Sequence, residues 1–207
     1  MTYDPQKHHR RSIRLKGYDY SQAGVYYVTI VAQNRACLFG EVVRAEMQLN
    51  DAGRMVQSQW ECLPQRFPNV ETDEFIVMPN HFHGALLIMD KTVGAVPCAR
   101  PVVPQPNKGR PQGGQPPGGQ PQGIAPTEHD PTLGSIVGAW KSIVTDEYIR
   151  GVHELNWEPF YRKLWQRNYW EHIVRDEPDL NRIREYIINN PANWDSDEHN
   201  PKNAPHP

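Results

Sequence analysis

The sequence predicts a mixed domain of strands and helices broken by one disordered insertion. Three observations carry that prediction. Runs rich in aromatic and β-branched residues, Val25 to Ala32 and Phe75 to Met89, have the length and composition of strands. Apolar residues recur at helical spacing between Asn50 and Leu63 and between Thr132 and Tyr148. Between them Pro and Gly, 20 and 15 in a chain of 207 residues, are concentrated from Val93 to Pro131. The expected organisation is a basic arm over 1–23, one domain formed by 24–92 and 128–194, a disordered Gly/Gln/Pro-rich linker over 93–127, and a flexible tail over 195–207.

The formal charge of -2 gives no overall basic signature for nucleic acid, but it conceals an asymmetry. Residues 1–16 carry Lys7, Arg10, Arg11, Arg14 and Lys16 against Asp4 alone, a local charge of +4. Cys37, Cys62 and Cys98 lack metal-ligand spacing and are odd in number, so neither a zinc knuckle nor a disulfide framework is indicated and a reducing cytoplasm is expected. No apolar stretch follows the basic residues, and no run approaches the length of a membrane span, so neither a signal peptide nor a membrane partner is expected.

The arm from His8 to Lys16 reads either as a solubilising tail or as a phosphate-contacting one. Gly24 launches a strand over Val25 to Ala32 that could be central. Glu41-Val42-Val43 against Met47-Gln48-Leu49 forms a short hairpin. A helix follows with Asn50 or Asp51 as cap, carries Ala52, Met55, Val56, Trp60 and Leu63 on one face, and is closed by Pro64. Phe75 to Met78 and Ala85 to Met89 then read as two strands joined by a turn at Pro79-Asn80, with His81 and His83 at that turn. The linker contains the near-repeats Gly113-Gly114-Gln115-Pro116 and Gly118-Gly119-Gln120-Pro121, and its few apolar side chains cannot offset its ordering entropy. A helix capped by Thr132 carries Leu133, Ile136, Val137, Trp140, Ile143, Val144 and Tyr148 as a core stripe. The last helix starts near Pro178 and runs through Leu180, Ile183 and Ile187 until Pro191 stops it.

Three places carry candidate chemistry. In an extended chain His81 and His83 project to the same side, while Phe82 points the other way into packing. Two such imidazoles can hold a divalent cation, or be turn histidines satisfied by water and backbone. From Trp157 to Arg175, aromatic residues (Tyr161, Trp165, Tyr169, Trp170) interleave with cations (Arg162, Lys163, Arg167, Arg175). That pattern suits base stacking and phosphate contact, and equally an edge strand whose aromatics pack inward. Tyr186 and Asn190 lie one turn apart on the last helix, where a surface Tyr and a terminal Asn would look the same.

Taken together, Met-Pro-Asn-His-Phe-His-Gly at 78–84, Trp-Gln-Arg-Asn-Tyr-Trp-Glu-His at 165–172, Tyr-Ile-Ile-Asn-Asn-Pro at 186–191 and Leu-Lys-Gly-Tyr-Asp-Tyr at 15–20 resemble the HUH single-tyrosine transposases. The REP-associated tyrosine transposases are the nearest branch. The resemblance spans nearly everything except the insertion and the extreme tail. It implies an α+β fold, a ferredoxin-like (RRM-like) antiparallel sheet backed by helices, with the histidines on a central strand. His81 and His83 match the paired metal ligands, Asn190 a third polar ligand, and Tyr186 the nucleophile. The implied cofactor is Mg²⁺ or Mn²⁺, although two histidines and a carboxamide would by softness suit a first-row transition metal. The implied partner is single-stranded DNA with a hairpin or palindromic repeats, contacted by Arg10, Arg11, Arg14 and Lys16 of the arm and by Arg162, Lys163, Trp165, Arg167, Tyr169 and His172. The REP-associated branch also favours a monomer over a homodimer that exchanges the tyrosine helix.

The expected reaction is transposition by a tyrosine endonuclease that nicks and rejoins single strands, conserving the phosphoester energy in a 5′-phosphotyrosine. No dedicated general base is evident; His172 is the nearest by sequence, and packing or substrate contact suits it better. A catalytically inactive binding protein on the same sheet is the rival reading, disfavoured because His81, His83, Tyr186 and Asn190 all carry usable side chains. A replication initiator or relaxase of the wider HUH group would predict a longer chain with a helicase or a second tyrosine close by, and Tyr169 is at the wrong distance for that.

Overall fold

The computed structural model describes residues 15, 17–90 and 131–203. Residues Arg10, Arg11, Arg14, Lys16 and the 93–127 linker lie outside them. Chain order is β1 (Gly24–Val31), the hairpin β2 (Gly40–Val43) and β3 (Glu46–Leu49), α1 (Asp51–Glu61), the single turn α2 (Leu63–Arg66), β4 (Val70–Val77), β5 (His81–Ile88), α3 (Leu133–Leu155), β6 (Trp170–Val174) and α4 (Glu177–Asn189). Two 3-10 segments follow, Pro191–Ser196 and Pro201–Asn203.

The main sheet is antiparallel with strand order β4-β5-β1-β6. Each helical crossover therefore skips one strand: β1 passes through α1 to β4, and β5 through α3 to β6. Two interleaved crossovers of this kind make the ferredoxin-like α+β arrangement. Of the apolar runs singled out in the sequence, Val25 to Ala32 forms the inner strand β1, while Phe75 to Met89 divides between the edge strand β4 and the inner strand β5.

Alternation divides the sheet into two faces. Tyr26, Val28 and Ile30 of β1 and Phe82, Leu86 and Ile88 of β5 join Val56 and Trp60 of α1 and Ile136, Val137, Trp140 and Val144 of α3 in the main core. Tyr27, packed with Ile183 and Ile187 of α4, forms a smaller cluster on the other face, flanked by Ile76 and Val174. At Gly84 an added Cβ would lie 2.7 Å from the Phe82 ring and 2.8 Å from Trp60, so a bare α-carbon lets the aromatic layer approach β5.

Caps follow the sequence: Asn50 accepts from Gly53 N and Thr132 from Ser135 N. Four expectations change. Pro64 does not close α1, which ends at Glu61; it lies in the first turn of α2, where its missing N–H costs nothing. The turn at 78–80 ends before the histidines, and His81 is the first residue of β5. The domain begins before residue 24, because Tyr20 is buried in the main core with Tyr18 packed against it. The segment 195–203 is folded onto the sheet, with Asn200 2% exposed and the His199 carbonyl accepting from Asn80 Nδ2 at 2.8 Å.

Candidate active site

The site lies on the sheet face opposite α1 and α3. Register sets out a row across four strands, Ile76 (β4), His83 (β5), Thr29 (β1) and Trp170 (β6). His81 precedes His83 by two residues and shares its face. Their rings stand 4.6 Å apart at 79° and are 0% and 2% exposed.

Hydrogen bonding orients both imidazoles. Asn80 Nδ2 donates to the carbonyls of Arg35 (2.9 Å) and His199 (2.8 Å), which leaves Oδ1 as acceptor for His81 Nδ1 at 2.9 Å. The His81 proton is thereby fixed on Nδ1 and the lone pair on Nε2. His83 Nδ1 has Tyr27 Oη at 2.6 Å and Thr29 Oγ1 at 3.0 Å, either of which can accept its proton. Both Nε2 atoms are buried without a partner. Burial, then the neighbouring imidazoles, hold His81 well below the usual histidine range; burial and His199 bring His83 down to about 3. Both rings are therefore neutral at physiological pH, the state in which imidazole binds a metal.

Helix α4 brings the other half. Asp176 caps it through Asp179 N, and the helix packs on β4 and β5. Tyr186 is half-exposed, its ring 5.3 Å from that of His83 and edge-on to Tyr27 at 6.4 Å. Burial, then the charge of Asp197, pushes its phenol up, against a lowering contact with Asn190. Asn190 is the residue at which α4 ends before Pro191 redirects the chain; it is 2% exposed and its Oδ1 has no partner. Sequence reasoning paired these side chains with the histidines, and the fold brings them together.

Sequence reasoning missed the residues contributed by the C-terminal segment. Asp197 Oδ2 lies 3.8 Å from His81 Nε2, and atoms offered by His81, His83 and Asp197 all fall within 4.8 Å of one another. His199 stacks obliquely 4.8 Å from His81, with its own Nδ1 buried and unpartnered. The sequence alone assigns these residues to a flexible tail; the acidic and histidine-bearing run Asp195 to His199, a few residues after Pro191, is the available signal. Tyr27 and Thr29 were likewise read as strand formers, although their i, i+2 spacing places both on one face.

Buried orphan nitrogens, an orphan carboxamide oxygen and a carboxylate fit a small divalent cation that prefers mixed N and O donors. Beside them a cavity of about 660 Å³ extends between α4 and β6, lined by Tyr27, His83, Tyr169, Trp170, His172 and Tyr186 among others. The expected DNA-contacting residues divide. Tyr169 and His172 line this cavity, His172 Nε2 lying 2.8 Å from Asp179 Oδ2. Arg162, Lys163 and Arg167 are exposed and line a separate depression against α3. Trp165 is a correction: it is 4% exposed inside the main core beside Phe39 and Trp140, so its ring is not available to a base.

No protein-family model matches the chain. It is 41% identical over 198 residues, 95% of this chain and 96% of its counterpart, to a Haemophilus influenzae protein of no assigned function. A second Haemophilus influenzae protein, named as a candidate REP-associated tyrosine transposase, is 24% identical over 177 residues, 84% of this chain and 73% of its own length. Two solved structures overlap it at low similarity. One is a REP-associated tyrosine transposase bound to a REP hairpin (16% identity, TM-score 0.48, 88% of this chain and 73% of that one). The other is a candidate transposase from Deinococcus radiodurans (15% identity, TM-score 0.38, 86% and 97%).

Proposed function

We propose that the chain, which belongs to one family with the 41% identical Haemophilus influenzae protein and is a relative of the REP-associated tyrosine transposases, cuts and rejoins single-stranded DNA through Tyr186. The observation that carries the proposal is the convergence of two buried, unpartnered imidazole nitrogens and the unpartnered Asn190 oxygen beside one half-exposed phenol.

His81 and His83 would hold Mg²⁺ or Mn²⁺ through Nε2, Asn190 through Oδ1, and Asp197 through its carboxylate. A divalent cation bound there supplies charge neutralisation at the non-bridging oxygens of a phosphodiester and makes the phosphorus more electrophilic. Tyr186 Oη attacks that phosphorus in line. The new O–P bond forms as the bond to the 3′ oxygen breaks. The phenol gives up its proton and the departing 3′ oxygen takes one up, so the step is neutral in protons and leaves a 5′-phosphotyrosine. Attack by another 3′-hydroxyl reverses it, restoring the phenol and joining the strands without ATP.

The substrate we assign is single-stranded DNA bearing a hairpin or palindromic repeat, following the motifs of the sequence. Tyr169 and His172 face it in the cavity. Arg162, Lys163 and Arg167, with Arg10, Arg11, Arg14 and Lys16 of the arm, give it phosphate contacts. A monomer is the state we assign, a reading supported by the 5.3 Å between the rings of Tyr186 and His83 within one chain, and the cytoplasm the compartment, where unpaired Cys37 and Cys62 stay reduced.

The test is a 3′-labelled, hairpin-bearing single strand incubated with the protein in Mg²⁺ or Mn²⁺ and resolved on a denaturing gel. The native protein is expected to yield a covalent adduct and Tyr186→Phe none. Tight binding with no adduct in either metal would leave a binding module. An adduct that survives Tyr186→Phe would move the nucleophile elsewhere.

A further inference from the structure

Trp170 opens the edge strand β6 and is 53% exposed, whereas Trp165, five residues earlier, is 4% exposed. A single exposed aromatic ring is ordinary on a protein surface, so exposure alone assigns no role. Position does. Trp170 pairs with Thr29, which pairs with His83, so it stands two strands from a proposed metal ligand and on the same face. At the usual spacing of adjacent strands the two backbones are about 10 Å apart. A base attached to a phosphate held at the histidines reaches the indole without unwinding anything in the protein.

The ring is also held from behind. Tyr27 meets it edge-on at 6.0 Å and 73°. His172 lies parallel at 6.2 Å and 6°, and is itself fixed by Asp179 at 2.8 Å. The indole borders the cavity that also receives Tyr186, and the exposed carboxamide of Asn168 lines that cavity with both a donor and an acceptor.

We infer that Trp170 is the stacking platform for the nucleobase adjoining the phosphate that Tyr186 attacks. The inference rests on the proposed function and narrows it: the cavity binds one unpaired base by its π-face. Such stacking tolerates any base, so sequence preference at this position would come from groups at the base edge, Asn168 among them.

The probe is a DNA hairpin with a single-stranded thymidine tail carrying one 2-aminopurine, moved position by position along the tail. It is mixed with Tyr186→Phe protein to prevent cleavage. Stacking on an indole quenches 2-aminopurine, so quenching is expected at one position or two adjacent ones. Adding Trp170→Ala should abolish that quenching and weaken binding, measured by anisotropy, about 5- to 150-fold, the range for loss of one base–aromatic stack. Trp170→Phe keeps a π-face and should lie close to the parent in affinity, which guards against a folding artefact in the alanine variant. Affinity unchanged in Trp170→Ala, or quenching lost evenly along the tail, overturns the inference while leaving DNA binding intact. Failure of the Tyr186→Phe parent to bind the probe at all overturns the DNA-binding reading and this inference with it.

Discussion

Asn80 joins three parts of the chain through one carboxamide: the segment after β1 at Arg35, the C-terminal segment at His199, and the ring of His81. The carboxamide fixes the tautomer and orientation of the ring; if His81 holds a cation as proposed, Asn80→Ala should lower its affinity about ten- to hundredfold, read by metal titration. Asp179 plays a comparable part at the start of α4, where its carboxylate takes hydrogen bonds from His172, Arg182 and the Arg175 N–H. These donors, His172 first, lower its pKa from 3.8 to about 2. A carboxyl depressed in the folded state stabilises it fully above the unfolded value and loses that contribution as pH falls toward the folded one. Asp179→Asn should therefore lower thermal stability at pH 6 and make progressively less difference as pH drops from 3.8 toward about 2. Melting curves of both proteins across that range check it; a deficit independent of pH would show that shape, not charge, matters there.

At the scale of elements, the angle of α4 decides where the phenol points. A bulge between Thr72 and Phe75 reverses which residues of β4 face the core: Val70 faces it before the bulge, Phe75 and Val77 after. The reversal leaves Asp73 facing α4, where Arg184 grips it with Nε at 2.8 Å from Oδ1 and Nη2 at 2.5 Å from Oδ2. The pair is partly exposed, so Arg184→Met, which keeps the stem and loses the fork, is expected to cost little stability. Adduct formation should fall further than stability does, because the helix that carries Tyr186 loses its tie to the sheet. Equal losses in denaturant melts and gel assays would refute that role. Most elements are legible from the sequence, since α1 and α3 carry an apolar helical period and β1 and the second half of β5 are short runs of strand-forming residues bounded by turn signals. The bulge is not, because a shift of one residue in register leaves no mark on composition. Nor is the Asp197 contribution, which depends on where a 3-10 turn after Pro191 lays a short polar segment. Trp165 and Trp170 look alike in sequence, and only the pairing of Ala32 with Trp165 separates the buried ring from the exposed one.

For the whole molecule, the connection from Ile88 to Leu133 is long, yet the core that closes on either side of it is continuous. Leu133 N donates to Tyr20 O at 2.9 Å, so the start of α3 is fixed by the segment before β1. Excising the stretch from Val96 to Ala125 shortens the closing loop roughly threefold. That favours the folded state by no more than about 1 kcal/mol, while leaving the active-site groups in place. Equilibrium unfolding and the adduct assay on the shortened protein should both resemble those of the full chain; loss of folding would show that the insertion contributes to the core.

The segment from Tyr186 to His199 sets an order in time. Within the chain it is made after every strand of the sheet it packs on, so β4, β5, β1 and β6 can pair before the phenol and the Asp197 carboxylate have left the ribosome. A product terminated between Val174 and Tyr186 has every strand of the sheet and both imidazoles but not the phenol, and lacks the α4 side chains Ile183 and Ile187 that pack on Tyr27. One terminated between Asn190 and Asp197 has the phenol without the carboxylate. The groups of the candidate site are therefore complete only in chains carried through residue 197.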